Sequence, residues 1–224
     1  METYLYFAIS ATASRLLPIA IGLHRWRYLG PAGLLLFAFV VLSLVGDVGM
    51  LIAWKVFKKS NLWISHVLIS LQTPVLLLAF AEWTRGSRLQ RSFQIAAAFA
   101  VVAWLLLTIL LESATRFARF TGPLQSALFC AAAIGTLVQR GLATEGRLSR
   151  ADWFWASTGV LLVYGLTAVY RPLLDLFTER GMTAIPAFTV LKALVVLQIV
   201  ANLFYTRAFL SVHAEAVRPI PAPA

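Results

Sequence analysis

Charge is what this sequence lacks most. Only 12% of its 224 residues are Asp, Glu, Lys or Arg, and nine of those are acidic. A water-soluble domain carries about a quarter charged residues, so half that share leaves too little polar surface for an aqueous globule. Cysteine is nearly absent as well. Cys130 stands alone, which excludes an intrachain disulfide and any cysteine-based metal cluster. Long polar stretches are missing too. The longest polar connection between apolar blocks is RGLATEGRLSRAD, so no soluble catalytic or signalling domain fits between them. No metal-ligand set and no cofactor signature is present, and neither group is expected.

What fills the chain instead is apolar: 60% of residues are hydrophobic, with a mean hydropathy of +0.82. They come in blocks of about 20, the length that crosses roughly 30 Å of hydrocarbon at 1.5 Å per residue. The expectation is an integral, all-α membrane protein whose principal partner is the lipid bilayer. The net charge of +10 is spread over short connections between blocks, where basic residues meet headgroups, so nucleic acid is not an expected partner.

Seven blocks can be placed, at about 3–23, 32–54, 62–83, 93–112, 122–139, 152–177 and 187–210. Residues 1–210 thus read as one seven-helix transmembrane domain, and 211–224 as a short, Pro-rich disordered tail. The opening METYLYFAISATASRLLP has no basic leader and keeps Arg15 inside its apolar stretch, so it reads as a first span. Ten basic residues fall on the side of the first, third and fifth connections and the C-terminus, against seven on the other. That bias predicts the N-terminus outside and the C-terminus in the cytoplasm. Two segment pairs hint at a 3+1+3 parallel repeat: VLSLVG at 41–46 with VLLVYG at 160–165, and HVLISLQ at 66–72 with KALVVLQ at 192–198.

Against this background a few polar residues stand out. Asp47 lies in the second block, on a helical stripe with Ser43, and Gly46 beside it lets a neighbouring helix approach. Ionisable groups at depth cost a few kcal/mol each and so face the bundle interior, with partners. Arg15, with a side chain about 6 Å long, can snorkel or reach toward Asp47. The pair reads either as a structural ion pair or as part of a pocket. The third block offers His66, Ser70, Gln72 and Thr73; the sixth Tyr164; the seventh Lys192 and a stripe of Gln198, Asn202 and Tyr205. His66, Lys192, Arg171, Asp175 and Glu112 belong to the outer half on the expected orientation, each with an interfacial alternative. Pro18, Pro74 and Pro172 fall in or near blocks and bend their helices.

Two resemblances rest on these residues. NLWISHVLISLQ, after an acidic residue in the preceding block, together with DWFWASTGVLLVY and LKALVVLQIVANLFYTRAF, resembles a group of bacterial seven-span membrane proteins of uncharacterised activity. That resemblance implies the bacterial inner (cytoplasmic) membrane. More locally, SLVGD followed by His66 is similar to the S-x-x-G-D…H pattern of the lysoplasmalogenase family. That likeness implies a hydrolase in which Asp47 and His66 share a proton to activate water. The family's later Ser-Asp pair has no counterpart in STGVLLVYGLTAVY.

The expected function is therefore a polytopic protein that binds a small molecule or lipid in an intramembrane polar pocket, as a transporter or sensor. Arg15, Ser43, Asp47, His66, Gln72, Tyr164, Lys192, Gln198 and Asn202 are the expected ligand-binding residues. The alternatives are the Asp47–His66 hydrolase and a structural subunit packed in a complex or oligomer.

Overall fold

A computed structural model describes residues 2–55, 62–110, 120–143, 148–179 and 184–215. Its α-helices are α1 (Glu2–Ser14), α2 (Leu16–His24), α3 (Pro31–Lys55), α4 (Leu62–Trp83), α5 (Arg88–Leu110), α6 (Thr121–Ala143), α7 (Asp152–Glu179) and α8 (Ala184–Glu215). No strand occurs among the described residues, as hydrocarbon requires of a chain that must satisfy its backbone internally. Among the described residues, five helices contain stretches long and apolar enough to cross a membrane: Pro31–Ala53, Trp63–Trp83, Arg88–Thr108, Thr121–Ala143 and Lys192–Ser211. This is the make-up of a membrane protein.

The first expected block is not one helix but two. Pro18 has no N–H to offer the carbonyl of Ser14, and its ring crowds that carbonyl. The helix therefore breaks at Arg15, whose N–H turns back to the Thr12 carbonyl at 3.2 Å in a tighter turn. The helix resumes as Ile19 donates to the Arg15 carbonyl at 3.2 Å. Neither half alone is long enough to count as a span. α7 is described with its side chains only as far as Val169, and that stretch is not among the five. Pro31 opens α3, where a missing N–H is harmless. Gly86, at φ +84, makes the left-handed turn between α4 and α5, and its N–H is held by Gln90 Oε1 at 2.9 Å. The last helix runs on to Glu215, and residues 216–224 of the expected tail lie outside the described residues.

α8 closes the bundle by packing on α1, α2 and α7, while α4 also meets α6. Small residues set the close approaches. At Gly46 any Cβ would run into the side chain of Leu68, so α3 and α4 meet there at glycine. At Gly159 a Cβ would lie 2.9 Å from the Tyr205 ring, so α7 admits that ring only because it carries no side chain at this point. The dense core gathers at the end of the bundle where α3 and α7 begin. Leu36, Phe39, Leu77, Phe80, Phe129, Val160 and Phe209 are all essentially sealed there. That end is pinned by polar contacts: Trp83 Nε1 donates to Asp152 Oδ2 at 3.0 Å, and the Arg140 guanidinium donates to the Trp83 carbonyl.

Candidate functional site

Polar groups gather beside the kink at Arg15, whose backbone stays in the right-handed helical region. Arg15 forms an ion pair with Asp47, whose Oδ2 also accepts a hydrogen bond from Thr12 Oγ1 at 3.1 Å. Their side chains are only 12% and 23% exposed, so each depends on the other rather than on solvent. One turn away, Ser14 Oγ accepts a bond from Asn202 Nδ2 at 2.7 Å, and Gln198 Nε2 donates to Asn202 Oδ1 at 3.3 Å. On α3, Ser43 Oγ donates to the Phe39 carbonyl at 2.8 Å and accepts from Gln72 Nε2 at 3.1 Å.

These chains enclose a cavity between the α1–α2 break, α3, α7 and α8. Arg15, Ser43, Tyr164, Gln198, Asn202 and Tyr205 supply its polar lining, with Phe39, Val40 and Val163 as the apolar remainder. The space open to the centres of water-sized molecules is about 20 Å³. One water needs roughly 10–15 Å³ on that measure, so this conformation holds a water or two and nothing larger. Arg15, Tyr164 and Tyr205 all border this one space. An aromatic layer closes the cavity toward the dense end. Phe39 packs edge-on against Phe129 and Tyr205 at centroid distances of 6.0 and 6.3 Å, and Phe129 meets Tyr164 at 4.7 Å.

The sequence-predicted residues divide accordingly. Arg15, Ser43, Tyr164, Gln198 and Asn202 line the cavity. Asp47 and Gln72 stand one contact behind it, through Arg15 and Ser43. His66 is buried on α4 but is not among the lining residues, and Lys192 is exposed on α8. Asp47 follows Gly46, which faces α4; one residue turns the helix by about 100°, and the carboxylate meets α1 and Arg15 instead. Glu112 and the side chains of Arg171 and Asp175 lie outside the described residues. Sequence reading passed over Thr12 and Ser14. Their signal was position, since both lie within the six residues before Pro18, where a freed backbone invites hydroxyl partners.

A second, smaller crevice lies between α4, α5 and α6. There Gln125 Nε2 donates to Thr73 Oγ1 at 3.1 Å beside Trp104 and Thr121. It shares no residue with the first. No protein-family model, curated protein or solved structure matches the chain.

Proposed function

We propose that this chain is a seven-span protein of the bacterial inner membrane. On this reading it binds a small molecule or lipid at the cavity around Arg15, as a transporter or sensor does. The observation that carries the reading is the convergence of four elements on one polar space at a broken helix. A helix kinked at proline leaves carbonyls free to face a cavity, and interrupted helices around a central site are a transporter trait. The seven-span count treats α1 and α2 as one crossing of 23 residues, about 34 Å at 1.5 Å per residue. It adds α7, 28 residues long, to the five most apolar helices.

The proposed topology has the N-terminus outside. It puts the aromatic layer on the cytoplasmic side of the cavity, so access is from outside. The 3+1+3 repeat draws support from Gln72 and Gln198. They hold matching places in the paired segments, and each donates its amide to a cavity-lining residue, Gln72 to Ser43 on α3 and Gln198 to Asn202 one turn along α8. The geometry favours binding over hydrolysis, because the Asp47 carboxylate is engaged by Thr12 and Arg15.

Thiol accessibility tests the pocket directly, since Cys130 is the only cysteine to remove. In a Cys130→Ser background, Ser43→Cys is expected to react with a small methanethiosulfonate added outside intact cells. Tyr28→Cys, at the opposite face, reacts only in inverted vesicles. A Ser43→Cys protein inert from both sides rules out a pocket that opens, and reaction only from the cytoplasmic side reverses the topology.

A further inference from the structure

We propose that the cavity is a carboxylate site. A small organic acid anion binds the part of the Arg15 guanidinium that Asp47 leaves open, with the Tyr205 hydroxyl as a second donor. The inference rests on the pocket reading above and adds the ligand's chemical class.

Three observations carry it. Arg15 is the one charged residue in the lining, and Asp47 behind it balances its charge, so an anion is drawn by directed N–H groups rather than by net charge. Two of the lining's acceptors already hold a donor inside the wall: Asn202 Oδ1 takes the Gln198 amide, and Ser43 Oγ takes the Gln72 amide. Donors remain. A guanidinium has five N–H groups in a planar fork, Asp47 is paired at Nη1, and Tyr205, with its hydroxyl, lines the same cavity. A planar carboxylate matches that fork in shape.

The neighbouring Asp47 also limits the ligand's charge. With Asp47 ionised beside Arg15, a monoanion leaves the site one negative charge in excess, and a dianion two. Charge at this depth is expensive. Room is short as well, since the resting cavity holds about 20 Å³ of water space. A compact monocarboxylate is therefore favoured over a phosphate ester or a dicarboxylate. Asp47 competes for the same guanidinium and repels the ligand, so it weakens binding. This gives the two members of the ion pair opposite signatures.

The full chain, purified in detergent, is titrated with acetate, with acetamide as the neutral isostere and ethylammonium as the cation. Unfolding temperature is the readout, at an ionic strength held constant with sodium chloride. Acetate alone is expected to stabilise the wild type, and Asp47→Asn to bind it about tenfold more tightly. Arg15→Gln by itself strands Asp47 and risks misfolding, so the informative partner is the neutral double variant Arg15→Gln/Asp47→Asn. It is expected to lose the acetate response that Asp47→Asn retains, and Tyr205→Phe to weaken that response several-fold. Octanoate separates the two sources of a carboxylate: tenfold tighter binding than acetate identifies a fatty acid, and equal binding a free organic acid.

Acetamide matching acetate, acetate acting equally on the double variant, or Asp47→Asn weakening the response would each overturn the proposal. If acetamide or ethylammonium stabilises the wild type but not Asn202→Leu, the pocket stands and only its anionic class falls. If no probe acts and Ser43→Cys is also inert, the pocket reading falls with it.

Discussion

Replacing Asp47 by leucine removes the counter-ion of Arg15 and nothing else of comparable charge. The guanidinium is 12% exposed, so water cannot take over. Breaking a buried pair from one side costs about 3–5 kcal/mol, while insertion scales set an unpaired arginine at a helix centre near 2.5–3.5 kcal/mol. Thr12 loses its acceptor as well, at about 1 kcal/mol. The carboxylate's 23% exposure and the arginine's freedom to snorkel reduce the sum. The expected loss is about 3 kcal/mol. Arg15→Met strands the carboxylate and is expected to cost a similar amount. The double variant Arg15→Met/Asp47→Leu strands neither group and should return to within about 1 kcal/mol of wild type, as apolar replacements of buried pairs do. Reversible unfolding in mixed detergent and dodecyl sulfate micelles, followed by helical circular dichroism, measures all three. If the two single losses simply add, within about 0.5 kcal/mol, the residues are not energetically coupled and the ion pair contributes nothing.

Other expectations test the packing and the helix break. Gly46→Val places a branched side chain against Leu68 and is expected to destabilise by about 1–3 kcal/mol. Gly49→Ala, whose Cβ meets Ile64 only at 3.9 Å, should be neutral or slightly stabilising in the same unfolding assay. Pro18→Ala restores the missing N–H and is expected to fuse α1 with α2. Spin labels at Tyr6→Cys and Leu23→Cys, in a Cys130→Ser background, should then move apart toward the separation of a straight helix. An unchanged distance would show that something other than the proline bends the chain. Trp83→Phe keeps an aromatic side chain but deletes the donor to Asp152 and leaves part of a buried indole's volume empty, so it should lower stability by at least about 1.5 kcal/mol, the low end for a hydrogen bond to a charged group; Asp152→Asn in the Trp83→Phe background should add little.

Five of the nine ligand-binding residues named from sequence line the cavity, and the way they were found explains why the others do not. Gln198 and Asn202 share a helical stripe, and a polar stripe on an apolar helix turns inward because lipid rejects it. Inward is not the same as into one particular space. His66 is turned inward as well, yet it lies away from the cavity, because which gap a side chain meets depends on the rotation of α4 against α3. That rotation is set by the fit of Gly46 to Leu68, a contact between residues from two different helices. Lys192 was read as interfacial or pocket-lining, and its exposure on α8 reflects depth rather than pattern.

The spans themselves were legible in the chain because solubility in hydrocarbon is a local property. Each block of about 20 residues either is apolar enough or is not, whatever its neighbours do. The same reasoning marked Asp47 and Arg15 as residues in need of partners. It also put Asp47 within reach of Arg15, but only the tertiary structure decided that the two meet as an ion pair beside a cavity. A single proline breaks the first helix, the break sets how far and in which direction Arg15 reaches, and α3 and α8 must close around it before any cavity exists. Burial of apolar surface along a helix is additive over residues, but a polar site is the product of several helices meeting at one depth and one angle.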